Sequence, residues 1–327
     1  MKRPRAGGAA ACSYCGRRGL VAPGRASAVH DYRLPAGVWL AVLAAIGFSF
    51  KAILVKLAYP YGVDAITLLA LRMIFSLPAY LVVGWCYQRT RAHPPLSTRE
   101  WWQLAALGIA GYYGASYLDF LGLQYISAGL ERVVLYAYPT LVVVLSFLFL
   151  RRPIGRREAL ALVLSYAGIG IAFFHDVRVG QDRHMVLLGG MLVFASALAY
   201  AVYLLGNAHV AAKLGAARFT ALAMMWSSAA VLLQFAVTRP LTALILPWQV
   251  YGLSLAMAVL CTVLPTFMIS AAIRHIGAQQ VGLIGTIGPV ATILLGAWLL
   301  DEPVSAMQLT GAALVITGVV LVAYRRP

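Results

Sequence analysis

The sequence predicts an all-α membrane protein of ten transmembrane helices, arranged as two inverted five-helix repeats. Three observations carry this. The 327 residues are 62% hydrophobic and 11% charged, with a mean hydropathy of +0.83, whereas a soluble domain carries about 25% charged residues. Residues 127–171 match residues 277–321 without a gap, so that Pro139 aligns on Pro289, Leu145 on Leu295, Pro153 on Pro303 and Gly168 on Gly318. The third observation is a charge swap between related loops. RRPIGRR follows the fourth span and DEPVS follows the ninth, placing Arg151 and Arg152 on Asp301 and Glu302.

A span needs roughly 20 apolar residues to cross a hydrocarbon layer of about 30 Å. Ten stretches qualify: 36–57, 65–87, 102–122, 127–149, 158–174, 186–205, 218–237, 250–272, 278–299 and 306–324. They are read as helices, because lipid-exposed backbone must satisfy its own hydrogen bonds and no alternating strand pattern is present. The stretches divide the chain into an N-terminal tail (1–34), a first repeat (35–174), a linker loop (175–185) and a second repeat (186–325). The tail is rich in Ala, Gly and Arg and reads as disordered. It has no apolar core of the kind a secretory signal needs. Its Cys12 and Cys15 lack a second ligand pair for zinc and read as unpaired thiols.

The net charge of +16 does not point to nucleic acid, since Lys and Arg sit in tails and short loops between spans. Counting from a cytoplasmic N-terminus, nineteen Lys and Arg fall on the inner side, while Arg178, Arg183 and Arg239 alone fall outside. The positive-inside rule therefore predicts that both termini are cytoplasmic, in the plasma membrane. Five spans per half is an odd number, so the second repeat enters the membrane from the opposite side. The RRP and DEP loops then face opposite compartments, as their charges require.

Two tandem five-span units, each ending in a Pro-containing helix, a short loop with a second Pro, and a helix with Ala167-Gly168 or Thr317-Gly318, resemble the EamA family of the drug/metabolite transporter superfamily. The likeness covers about residues 36–325 and is strongest in the last two spans of each half. The DEP loop is similar to the acidic loop of that family, while the first loop departs from it with RRP. The resemblance implies a ten-helix inverted-repeat fold with a central cavity. It also implies secondary transport, in many members export of amino acids and other small metabolites.

Ionisable groups inside spans are costly and usually face a cavity or a partner. The candidates are Lys51, Lys56, Arg72, Asp119, Glu131 and Arg132, all in the first half. Lys56 and Asp119 lie close enough to a span end to snorkel to the interface. Lys51 and Arg72 lie deeper and are read either as cavity groups or as partners of Glu131. Glu131 and Arg132 project about 100° apart, so one of their two faces is expected to meet the cavity and the other a neighbour. Pro139 and Pro289 interrupt the fourth and ninth spans at matched positions, freeing the carbonyls of Leu135 and Gly285. Paired interruptions of this kind point to a transporter's site. Gly282, Gly285 and Gly288 form a stripe that serves close helix approach or a small-walled cavity. Tyr136, Tyr138, Tyr200, Tyr203 and Thr286 complete the candidate substrate-binding set.

No Walker-type loop is present, so transport is expected to be driven by an ion or solute gradient, with Glu131 as the candidate proton carrier. Four span cations against two acids favour zwitterionic or anionic solutes. The expected partners are a small solute, the lipid bilayer and a coupling proton, with a second copy of the chain left as an option; no cofactor or metal is expected. The alternatives are an intramembrane enzyme or a non-transporting receptor. Against an enzyme, no HExxH, GxSxG or paired intramembrane Asp is present, and all six histidines lie at span ends or in loops.

Overall fold

The computed structural model describes residues 33–90, 96–179 and 182–323; the tail and its Cys12 and Cys15 lie outside them. The described residues fold into thirteen α-helices joined by short turns. The first half contains α1 (Arg33–Ala58), α2 (Ala65–Thr90), α3 (Thr98–Gly108), α4 (Ala115–Gly122), α5 (Ala128–Leu135), α6 (Tyr138–Leu150) and α7 (Arg156–Val179). The second contains α8 (Arg183–Leu214), α9 (Ala216–Thr238), α10 (Trp248–Ala258), α11 (Leu264–Gly285), α12 (Ile287–Leu300) and α13 (Ala306–Ala323). Nine membrane-length apolar segments are found among the described residues. The third span, 102–122, is long enough but more polar, because Tyr112, Tyr113, Ser116, Tyr117 and Asp119 lie on it. It packs inside the bundle against α2, α8 and α9 and makes the tenth.

The helix fragments are themselves evidence for the repeat. α3 joins α4 through a π-helical turn at Ile109–Gly114, and α10 joins α11 through another at Val259–Val263, which start 150 positions apart. The fourth span breaks at Tyr136 and Ala137, and the ninth at Thr286. Each break lies just before its proline, where the missing N–H and the ring prevent the helix from running through. At the far ends, Arg151 (φ 52°) and Asp301 (φ 54°) adopt the left-handed conformation. Their successors donate back into the last turn, Arg152 N to Ser146 O at 3.4 Å and Glu302 N to Gly296 O at 3.2 Å. Left-handed backbone costs a non-glycine residue roughly 1–2 kcal/mol, so two such residues at aligned positions mark a built helix stop.

Packing follows the same two-fold relation. The first span packs on the eighth, and the sixth on the third; the second packs on the seventh, and the fifth on the tenth. At the last contact α7 and α13 meet backbone to backbone. A Cβ added to Gly168 would stand 2.5 Å from the Gly311 carbonyl oxygen, and one added to Gly318 would stand 2.7 Å from that of Ala161. These two contacts exchange when the repeats exchange, since Ala161 aligns on Gly311 and Gly168 on Gly318. Small residues let membrane helices approach this closely.

At the start of the third span, Ser97 and Glu100 form a capping box on α3. Lys213 donates to both Glu100 oxygens at 2.8 and 2.7 Å. The Lys213 ammonium first, and then the Ser97 amide, hold the Glu100 carboxyl at about 2, below its ordinary 4.5. A depressed carboxylate stabilises the fold above its unfolded-state value and loses that contribution as pH falls through its folded-state value. The melting temperature of the wild type should exceed that of Glu100→Gln near neutral pH. The gap should narrow between pH 4.5 and 2; a gap constant across that window would contradict the assignment.

Candidate functional site

A buried ionic group lies where the first, third and fourth spans meet. Lys51, on α1, places its Nζ 2.6 Å from Asp119 Oδ2 and 3.2 Å from Glu131 Oε1. The Asp119 side chain is 2% exposed and that of Glu131 is fully buried. Snorkelling fails for Asp119 because the ammonium of Lys51 is a nearer partner than the interface. One cation therefore serves two carboxylates, and Asp119 Oδ1 and Glu131 Oε2 have no hydrogen-bond partner among the described residues, although Arg132 Nε stands 3.8 Å from the latter. Buried carboxylate oxygens are normally paired, so these two can accept a proton or a donor from a bound molecule.

The two faces of α5 separate as the 100° offset requires. Glu131 turns to Lys51. Arg132 turns to the second repeat, donating from Nε to Thr292 Oγ1 at 3.2 Å and from a terminal nitrogen to the Phe48 carbonyl. Its Nε stays 3.8 Å from Glu131 Oε2. Tyr136, one turn on, also reaches the second repeat. Its hydroxyl donates to the Gly285 carbonyl, one of the two that the prolines were expected to free. Gly288 makes room for this contact, since a Cβ there would lie 2.6 Å from the Tyr136 hydroxyl. Thr286 turns inward on its own helix, donating to Leu283 O at 2.6 Å.

Arg72, on α2, does not pair with Glu131. It is 5% exposed, donates to Ser116 Oγ at 3.0 Å and lies 4.9 Å from the centre of the Phe120 ring, a cation–π contact. Its Nε is without a partner among the described residues. Lys51, Arg72 and Arg132 against Asp119 and Glu131 leave one positive charge in excess. Lys56 stands apart, bound to Glu302 at the end of the bundle.

The tyrosines form a continuous run beside this group. Tyr136 and Tyr138 are 6.1 Å apart between ring centres, Tyr138 and Tyr200 5.1 Å, Tyr200 and Tyr203 5.8 Å, and Tyr203 and Tyr112 5.1 Å. The Tyr138–Tyr200 and Tyr112–Tyr203 pairs are edge-on, a favoured aromatic geometry. The place of Tyr112 in the run follows from the π turn Ile109–Gly114, which changes the facing of the residues on it.

The fourth and ninth spans break at matched points, and the buried ionic group lies where the first, third and fourth spans meet. A family model for the EamA-like transporter family matches residues 35–174 and 187–324. The chain belongs to that family. Among the relatives of this EamA-family chain, the uncharacterized transporter YcbK of Bacillus subtilis (strain 168) is 27% identical over 297 residues, covering 86% of this chain and 92% of its own. The threonine/homoserine exporter RhtA of Salmonella typhimurium (strain LT2) is 25% identical over 204 residues, 62% of this chain and 65% of its own. A solved crystal structure shares the fold, with a TM-score of 0.60 and 16% identity over 88% of this chain and 96% of that one. This EamA-family chain is a multi-pass membrane transporter.

Proposed function

We propose that the protein exports small zwitterionic or anionic metabolites, amino acids among them, by alternating access of two inverted repeats across the plasma membrane. Both termini lie in the cytoplasm in this reading, which the positions of Lys and Arg support. The observation that carries it is the Lys51–Asp119–Glu131 group, buried at the junction of bent spans, with two carboxylate oxygens lacking a hydrogen-bond partner among the described residues. Its excess positive charge, with Arg72 and Arg132, suits a solute carboxylate, while the acid oxygens without hydrogen-bond partners suit an α-ammonium group or a proton. Export of an amino acid agrees with the printed name of RhtA, though the charge balance is the stronger support.

In this mechanism Glu131 carries the coupling proton and Asp119 shares its counter-ion. Lys51 holds whichever of them is ionised. Protonation of one carboxylate releases Lys51 toward the other, so that proton and solute occupancy become linked through one ammonium. Tyr136 couples the two repeats at the break in each, because its hydroxyl leaves the Gly285 carbonyl when the repeats rock apart.

The test is flux of radiolabelled threonine and glutamate in proteoliposomes under an imposed pH gradient. The wild type should move at least one of them faster with the gradient than without it. Glu131→Gln should retain the wild-type gel-filtration profile and lose the gradient dependence. Normal gradient-driven flux by Glu131→Gln would remove Glu131 from the coupling role. Uptake of quaternary ammonium dyes with no movement of either amino acid would overturn the solute class.

A further inference from the structure

At the end of the bundle that carries the loop after α12, carboxylates cross between the repeats: Asp64 accepts from Arg239 Nε at 3.1 Å at an exposed site, and Glu302 crosses at a more buried one. Glu302 lies in the second repeat, just past Asp301, whose left-handed backbone turns the chain back on α12. Gly296 leaves room for it, since a Cβ there would stand 3.0 Å from Glu302 Oε2. The Glu302 carboxylate reaches across to the first repeat and accepts from the amide of Ala128, at 3.0 Å through Oε1 and 3.1 Å through Oε2. Ala128 is the first residue of α5, so its amide is one of the donors that a helix start leaves unsatisfied and that a negative charge stabilises. Lys56, at the end of α1, donates to Glu302 Oε1 at 2.8 Å and to the Ile126 carbonyl at 2.8 Å.

We infer that Glu302 is an inter-repeat latch, a positioning residue that holds this end of the pathway shut by capping α5, and that its release opens the pathway at this end. The inference rests on the alternating-access reading above. Beside the latch is a cavity of about 260 Å³, lined by Lys56, Gln124, Ser127, His175, Asp176 and Glu302 among others, where a passage would begin. α5 carries Glu131 and Arg132 within about one turn of its capped end, so a movement of that end is transmitted to the ionic group. Asp176 holds the other side of the same helix start, accepting from the Ser127 amide at 2.8 Å and the Ser127 hydroxyl at 2.9 Å. That bond stays within the first repeat and does not resist separation of the repeats, whereas the Glu302 bonds do. The positions aligned on Glu302, Lys56 and Ser127 at the opposite end are Arg152, Gly206 and Gly277. None supplies a carboxylate, so this particular contact has no copy under the repeat; the opposite end is tied differently, by Glu100 of the first repeat and Lys213 of the second.

The native thiol of Cys261 reports the opening without a known solute. It is 2% exposed and sits mid-span in the π turn Val259–Val263, which packs on α1 and α2. With Cys12, Cys15 and Cys86 changed to Ser, reconstituted full-length protein is treated with a membrane-impermeant maleimide. The reagent is applied to the face that labels a Gln124→Cys protein. Glu302→Ala should label at Cys261 roughly tenfold faster, the factor set by one lost charge-assisted hydrogen bond. Lys56→Met should label at an intermediate rate, because the cap on α5 remains, and Arg152→Ala should label as the parent does. Unchanged labelling in Glu302→Ala, or equal acceleration in Arg152→Ala, overturns the latch. Should Glu302→Ala fail to fold, Glu302→Gln and Lys56→Met decide the question on the same terms. Faster labelling in a protein that moves neither amino acid would count against the transport reading and leave the latch standing.

Discussion

Lys51→Met is expected to cost roughly 3–5 kcal/mol of stability, the range for removing one partner of a buried ion pair, and to abolish transport. Met keeps most of the stem of Lys51 and removes only the ammonium, so lost packing contributes little. What remains is a pair of buried carboxylates, Asp119 and Glu131, with no counter-ion between them. Arg132 does not replace it: its Nε is 3.8 Å from Glu131 Oε2, and its other contacts hold it against Thr292 and Phe48. Thermal melting of the purified protein measures the loss. The decisive comparison is the double variant Lys51→Met/Asp119→Asn, which removes one cation and one anion together. It should recover most of the lost melting temperature, since non-additivity is the mark of a direct pair, while transport stays lost. A double variant no more stable than Lys51→Met would mean that the ammonium is not what neutralises Asp119.

That group also shows how far sequence carries. Lys51, Arg72, Glu131 and Arg132 stand out because an ionisable residue in an apolar span needs a partner, and the chain has few of them. Asp119 is as buried as Glu131, yet linear position gives it away as an interfacial residue. It lies near a span end, and only the folded bundle brings α4 alongside α1. Lys56 differs: it does reach the end of the bundle, as its linear position suggests, but its partner there, Glu302, lies 246 positions away. The helix breaks were legible because Pro acts locally, on its own turn. The π turns were not, since neither IAGYYG nor VLCTV carries a proline. Only a comparison of the two halves at the fixed offset shows that both spans widen at the same place. The partner of the Gly285 carbonyl, Tyr136, was close at hand among the candidates. Its reach into the second repeat depends on Gly288 lacking a side chain, a fact about two helices and not about either sequence segment.

Glycines of α7 allow the repeat architecture to be tested with a single methyl group. Gly168→Ala should lower the melting temperature clearly, whereas Gly170→Ala, two residues along the same helix, should leave it unchanged or raise it. The chemistry of the two changes is identical, and each gains up to about 1 kcal/mol of helix propensity. The surroundings differ. A Cβ on Gly168 would stand 2.5 Å from the Gly311 carbonyl oxygen, while one on Gly170 would meet nothing within 4 Å. The Gly311 oxygen is backbone and no rotamer change can move it, so the added methyl must push α13 away from α7. Overpacking of this kind typically costs 1–3 kcal/mol, which outweighs the propensity gain. The two-fold relation then makes a stricter demand. Gly318 aligns on Gly168, and a Cβ added there would stand 2.7 Å from the Ala161 carbonyl oxygen, so Gly318→Ala should cost a similar amount. The two changes together should cost less than their sum, because the first to separate α7 from α13 relieves the second. Full additivity would mean that the two contacts yield independently and that α7 and α13 do not move as rigid bodies about the axis relating the repeats.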